Sequence, residues 1–280
     1  MNKNKIRKIL SLIAIVFILS GCSTSTEIID LNTKFSDVMN DGFFSAFITY
    51  PLAQGINWLE PKVGIFFAIA IVTVILNAIV LALTFKSNVA MQKMQELQPE
   101  MQKIQAKYEG RTDQTSQQRM AMEMQQLYSK YNINPFGTMI ASFIQFPLLI
   151  GMFNAVRRSY AVANARFMNT SLSISPSEAV KQKAWVCLVI FILMILCQFL
   201  SIKLPQILVN NRSKKEADKH HKTYQAPTNQ NNIMTYSMLA MIAVVMYSTP
   251  TALSLYYCIS SLVNICKTLI IDKLTHKEAA

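Results

Sequence analysis

The stretch Val63-Gly64-Ile65-Phe66-Phe67-Ala68-Ile69-Ala70-Ile71-Val72-Thr73-Val74-Ile75-Leu76-Asn77-Ala78-Ile79-Val80-Leu81-Ala82-Leu83-Thr84-Phe85 runs for 23 residues without a charge. A helix rises about 1.5 Å per residue and the hydrocarbon core of a bilayer is about 30 Å thick, so a segment of this length and composition is read as a membrane span. The whole chain agrees. Of its 280 residues 52% are apolar and 15% charged, against roughly 25% charged in an ordinary soluble domain. That composition argues against a soluble enzyme. Seven Gly and nine Pro exclude a collagen-like or low-complexity chain, and 16 Met and 15 Phe supply more apolar surface than one core of this size buries.

Working outward, residues 135–156, 184–204, 233–248 and 250–271 read as four further spans, the last two divided by Thr249-Pro250. The fold class is therefore an all-α integral membrane protein with five transmembrane helices. Toward the N-terminus, Lys3, Lys5, Arg7 and Lys8 precede an apolar run, Ile9 to Leu19, too short to span but of signal-peptide length. It ends in Leu19-Ser20-Gly21-Cys22, which resembles a bacterial lipobox. Residues 1–21 are thus expected to be cleaved, lowering the net charge from +12 to +8, and Cys22 to carry a diacylglycerol or acyl lipid outside the membrane. Five spans then place the C-terminus, residues 272–280, in the cytoplasm.

Lys and Arg are retained on the cytoplasmic side of a membrane. Sixteen of them fall in 86–134, 203–222 and 267–280, on the inner side or at the inner ends of spans, and seven outside, so their placement fits a membrane topology and not a specific nucleic-acid surface. The basic loop 205–232, with Arg212, Lys214, Lys215, Lys219 and Lys222, reads as an inner-leaflet contact, a ribosome contact or a solvated loop. Residues 22–62 read as an extracellular tether followed by an interfacial amphipathic helix, because Phe43, Phe44, Phe47, Ile48, Trp58 and Leu59 gather there around Pro51 and Gly55. The outer loop is 157–183.

The insert 86–134 carries a heptad seam on each of two arms. Met94, Leu97, Met101, Ile104 and Tyr108 form one, and Met120, Met124, Leu127 and Tyr131 the other. Gly110, Asp113 and Thr115 supply the turn and the next cap, giving a cytoplasmic antiparallel hairpin with a kink at Pro99. Its Met-rich seam is either a spacer or an adaptable contact for hydrophobic chains, with Met94, Met101, Met120 and Met124 as the contact residues.

The spans hold no Asp, Glu or His, and the last one a single cation, Lys267. No acid/base pair, metal set or hydrolytic triad can be assembled from them. Cys187, Cys197, Cys258 and Cys266 read as buried thiols. What the spans do carry is polar stripes: Thr73, Asn77 and Thr84; Thr138, Ser142 and Gln145; Ser254, Tyr257, Ser261 and Thr268. In a bilayer such side chains either bind helices together or line water.

Met94-Gln95-Glu96-Leu97-Gln98-Pro99-Glu100, Asn134-Pro135-Phe136-Gly137, Ile144-Gln145-Phe146-Pro147 and Pro250-Thr251-Ala252-Leu253-Ser254-Leu255-Tyr256-Tyr257 together resemble the YidC family of membrane-protein insertases, in order and spacing. The lipoprotein leader is as in its Gram-positive members. The resemblance implies a five-helix bundle in the bacterial cytoplasmic membrane with a hydrophilic groove, working without nucleotide, metal or other cofactor. It implies nascent membrane proteins and membrane lipids as partners, with the Sec translocon, the signal recognition particle receptor and the ribosome alongside, and no small-molecule substrate. Carried over by position, Thr73 and Tyr257 match substrate-facing positions of the family and Gln145 its second-span glutamine; with Asn77, Ser142, Ser261 and Lys267 from the polar stripes and span ends, they are the expected groove residues. Asn77 stands where the family usually has arginine, and Lys267 where it commonly has glutamine. Two other readings remain: a lipid-anchored scaffold or lipid-interacting paralogue on the same fold, and a small-solute transporter, for which no inverted repeat is visible.

Overall fold

A computed structural model describes residues 25–111, 113–164, 166–219 and 229–277. The leader and Cys22 lie outside the described residues, as does most of the basic stretch after Lys219. Almost everything described is helical: α1 (Phe35–Met39), a π-helical turn (Ser45–Thr49), α2 (Tyr50–Glu96), α3 (Gln98–Lys107), α4 (Gln114–Lys130), α5 (Pro135–Arg158), α6 (Tyr160–Asn164), α7 (Pro176–Gln182), α8 (Trp185–Lys219), α9 (Asn229–Tyr247) and α10 (Thr251–Lys277). The exception is a two-stranded antiparallel hairpin, β1 (Arg166–Phe167) and β2 (Thr170–Ser171). Among the described residues three helices are long and apolar enough to cross a membrane, Ser45–Glu96, Trp185–Arg212 and Thr251–Lys273, and Tyr236–Tyr247 is a shorter apolar helix.

Several helices run beyond the limits that hydropathy sets. α2 continues to Glu96, α8 passes through Pro205 to Lys219 where a basic loop was expected, and α10 extends to Lys277. The reason is physical: loss of apolar character marks where a helix leaves hydrocarbon, whereas the helix itself ends where capping or a breaker stops it. Pro205 removes one backbone donor but does not end the helix. Within α2, Gly64 has φ 79° and ψ 160°, so the helix before it and the helix after it meet at a kink. Glycine alone adopts that conformation without strain.

The chain divides into two compact units. The first comprises Met1–Leu76, Ile144–Met194 and Val244–Ile259. Where composition suggests a loose tether, its chain from Glu27 onward is docked. Ile29 forms a parallel bridge with Ser159, donating to the Arg158 carbonyl (2.6 Å) and accepting from the Tyr160 N–H (3.0 Å). Ile29, Val38, Ala53 and Ala155 make a small core flanked by Tyr50 and Leu52. At Gly151 the backbone approaches its neighbour closely, and an added Cβ would overlap the Ile48 Cγ2 methyl. The β-hairpin turns at Met168 and Asn169, both with positive φ as a tight hairpin turn requires, and stacks Phe167 on Phe66 at 5.5 Å. A capping box, Ser175 with Glu178, starts α7. The loop ahead of it satisfies the start of α10: Ile174 O accepts from Thr251 N (2.9 Å) and Oγ1 (2.8 Å), and Leu172 O from Ala252 N (3.0 Å).

The second unit comprises Asn77–Phe143, Ile195–Ala243 and Ser260–Ala280. Within it α3 and α4 pack against one another. Their direction follows from the pairs they make, Lys107 with Glu123 and Glu100 with Tyr131: as one helix advances the other recedes, so they are antiparallel. Leu97, Leu127 and Ile133 form the shared core, with Met94, Met101, Ile104 and Tyr128 against it. Two details differ from the heptad reading. Pro99 does not kink a continuous arm but sits in the first turn of α3, where its missing N–H costs no helical bond. Tyr128 takes the seam position expected of Tyr131, because α4 ends at Lys130 and Tyr131 becomes its exposed C-cap. Asp113 caps α4 by accepting from Ser116 N at 2.8 Å.

Candidate functional site

On α2, Thr73 is fully buried and its Oγ1 donates to the Ile69 carbonyl at 2.7 Å. Tyr257, on α10 in the same unit, is half-buried beside the buried Tyr256 ring. Gln145 on α5 is exposed. Ser142 lies on α5, but its side chain falls outside the description. Two hydroxyls of this unit, Thr49 Oγ1 and Ser254 Oγ, are buried without a hydrogen-bond partner.

In the second unit the later parts of α2 and α10 share a run of polar side chains. Ser260 Oγ donates to Asn77 Oδ1 at 3.5 Å, and Gln92 Nε2 donates to Asp272 Oδ1 at 3.0 Å. The two contacts lie in the same order along both helices, so α2 and α10 run parallel here. Between them α2 presents Thr84, which donates to the Val80 carbonyl (2.6 Å), and Asn88, whose amide donates to the Thr84 carbonyl (3.0 Å) and Oγ1 (2.9 Å). On α10, Ser260, Asn264, Thr268 and Asp272 recur every fourth residue and therefore share a face. Lys267 stands next to that row, half-buried. Ser261 is turned elsewhere: its Oγ donates to Gln198 Oε1 on α8 at 2.5 Å.

Both bonding partners, Ser260 and Gln198, escape a reading of stripes in single helices. Gln198 had a visible signal, an amide within an otherwise apolar run. Ser260 had none, since the stripe through Ser254, Tyr257 and Ser261 passes beside it.

Arg212, read from the sequence as part of a surface cluster, is committed inside the unit. Its guanidinium pairs with Asp272 and, at 3.3 Å, with Glu96. Three helices, α2, α8 and α10, are thereby tied at one cation. In the first unit Arg158 does comparable work. It is only 5% exposed, donates from Nε to the Glu27 carbonyl at 2.8 Å and pairs with Asp41 at 2.5 Å. Asn57, also buried, donates to Ile29 O (2.7 Å) and accepts from Ser159 Oγ (2.7 Å) and Ala161 N (3.0 Å).

On the α3–α4 pair, Lys107 Nζ meets Glu123 Oε1 at 2.5 Å and Tyr108 OH donates to the same oxygen at 2.8 Å. Bonding from Lys107, then from Tyr108, holds the Glu123 carboxyl below its ordinary range, and bonding to Glu123 raises Lys107. Met94 and Met101 touch the core there; Met120 and Met124 are half-buried outside it. Among the described residues no group of three or more His, Cys, Asp or Glu is placed to hold a metal ion.

Residues 58–278 match the family model described as 60Kd inner membrane protein. Over 277 residues the chain is 28% identical to the membrane protein insertase YidC of Oceanobacillus iheyensis, covering 97% of each. It is 27% identical to the membrane protein insertase MisCA of Bacillus subtilis, covering 96% of this chain and 92% of that one. With the membrane protein insertase YidC 2 of Listeria innocua it shares 28% identity over 93% of this chain and 80% of the relative. A match over most of the length, together with long apolar helices, makes this a multi-pass protein of the bacterial cytoplasmic membrane. The chain belongs to the 60Kd inner membrane protein (YidC) family.

Proposed function

We propose that the chain is a membrane-protein insertase that receives nascent membrane proteins in a hydrophilic groove and releases their apolar segments to lipid without hydrolysing a nucleotide. The observation that carries this reading is the similarity, over nearly the whole chain, to proteins named insertases. The polar run along α2 and α10 supports it. Hydrophilic side chains within spanning helices offer a client's polar flank partial solvation, and crossing is slow chiefly because that flank must shed water. Insertion of the apolar part then proceeds downhill by burial of its surface.

In this reading the chain has five spans, Cys22 is lipidated outside after removal of residues 1–21, and the α3–α4 pair projects into the cytoplasm as the first contact for hydrophobic clients. The groove is lined by Asn77, Gln145, Tyr257 and Lys267, with Ser142 on the second span. Thr73 and Ser261 stand on the same stripes but are buried: Thr73 is bonded to the Ile69 carbonyl of its own helix, and Ser261 ties α10 to α8 through Gln198. Membrane lipids are the second partner; the Sec translocon, the signal recognition particle receptor and the ribosome are partners on the cytoplasmic route. No cofactor takes part.

Reconstitution tests the reading. Vesicles holding the purified chain alone, in nucleotide-free buffer, are expected to insert a short single-span client with an acidic tail faster than empty vesicles. Equal rates with and without the chain, for a client that inserts in native membranes, favour the scaffold reading.

A further inference from the structure

α2 and α3 are joined through a single residue. Glu96 is the last residue of α2 and Gln98 the first of α3, so Leu97 is the joint. Leu97 is committed to the α3–α4 pair, in the core that it forms with Leu127 and Ile133. Glu96, one position earlier, is committed elsewhere: its Oε1 lies 3.3 Å from the guanidinium of Arg212 on α8. Pro99, in the first turn of α3, has no backbone N–H to give, so the joint lacks a bond that would stiffen one continuous helix. Short junctions between rigid elements are where such elements hinge. A swing of the α3–α4 pair on this joint carries Glu96 with it.

Arg212 holds two carboxylates in unequal surroundings. Asp272 on α10 is 14% exposed; one oxygen takes the guanidinium and the other accepts from Gln92 Nε2 at 3.0 Å. Ile271 beside it, and Val209 one turn before Arg212, are buried. Glu96 is 28% exposed, and its distance to the guanidinium is long for a charge-assisted hydrogen bond. Water and salt screen a pair of that kind, so it is weak and opens readily. Asp272 is thus the anchor that keeps Arg212 in place, and Glu96 is the arm that lets go.

We propose that Arg212 is an electrostatic latch on the root of the α3–α4 pair. Held by Asp272, it fixes the direction of the pair through Glu96, and release of Glu96 frees the pair to swing about Leu97. The latch stands apart from the insertase reading. What loads it rests on that reading: a hydrophobic client segment seated on the α3–α4 pair pulls Glu96 away.

Pulsed electron–electron distance measurements on the full chain in phosphatidylcholine vesicles test the latch. Native thiols other than Cys22 are replaced, and spin labels are placed at Gln105→Cys on α3 and Ile207→Cys on α8, both exposed in the parent. At low salt the parent is expected to give one narrow distribution, and Glu96→Gln and Arg212→Gln each a broader one. At about 1 M salt, where the screening length is about 3 Å, the parent is expected to broaden as Glu96→Gln does, and Glu96→Gln to stay as it was. A control pair within the two arms, Gln105→Cys with Gln118→Cys, is expected to keep its distance throughout. Three results overturn the proposal: a Glu96→Gln distribution as narrow as the parent's, a parent indifferent to salt, or a control pair that broadens with Glu96→Gln, because Glu96 then supports the fold of the arms and not their direction. No distance depends on insertion, so the latch and the insertase reading fail separately.

Discussion

Arg158 and Arg212 are both paired cations, and their burial decides what each is worth. Arg158 is 5% exposed and its partner Asp41 19%, so removing one member strands a desolvated charge, which costs about 3–5 kcal/mol when a pair is fully buried. Arg212 is 27% exposed and shares its charge between two carboxylates, and a solvent-screened pair contributes about 0–1 kcal/mol. Arg158→Ala is therefore expected to lower the thermal midpoint of the purified protein sharply, and Arg212→Gln only slightly, in parallel melts in one detergent. Comparable losses in both would show that the bridge to Asp41 is not the buried clamp described. Neither role is visible in the sequence, where both residues count only toward charge placement. Asp41 lies more than a hundred positions from Arg158, as does Glu96 from Arg212, and Asp272 lies on another helix.

At the scale of elements, the close contact at Gly151 carries a direct consequence. A methyl group there meets the branched side chain of Ile48, and overpacking of this kind costs about 1–3 kcal/mol. Gly151→Ala should lower the melting temperature, and Gly151→Ala with Ile48→Ala should recover part of the loss; a single variant as stable as the parent would contradict the packing. The α3–α4 pair responds to acid instead. Glu123 has a lowered carboxyl in the folded state, so its contribution is complete above the ordinary range near pH 4.3 and is lost as pH falls through the lower folded value. Resistance of α3 and α4 to limited proteolysis by an acid-active protease should fall over that window, and Glu123→Gln should remove the dependence. The long apolar helices and the two amphipathic arms were legible because each is written within one segment, as a charge-free run or a heptad. Extrapolating the heptad to Tyr131 failed because periodicity does not say where a helix ends. The docking of residues 27–41 and the bond from Ser260 to Asn77 depend on partners distant in the chain, which composition does not encode.

For the molecule as a whole, topology follows from where the polar and charged ends of the helices emerge. A single cysteine at Gln114, in a chain whose native thiols other than Cys22 are replaced, should be labelled by an impermeant maleimide only after the cytoplasmic side is opened. Labelling in intact cells would invert the proposed orientation. Sequence reading reaches the family and the helical membrane-protein class by adding segments; it does not reach the role of the polar stripes, because whether a stripe lines water or joins helices depends on what each side chain touches. Thr73 and Ser261 are bonded and buried, whereas Gln145 is exposed, although all three lie on stripes of similar appearance.

The central claim is that client segments travel along these polar positions. Photo-activatable residues placed one at a time at Asn77, Gln145 and Tyr257, with the exposed apolar Ile79 as reference, should be irradiated in the presence of a ribosome-stalled single-span membrane protein. The account predicts strong adducts with the nascent chain at the three polar sites and weak ones at Ile79; equal or absent adducts at all four, with the chain folded and membrane-inserted, would contradict it.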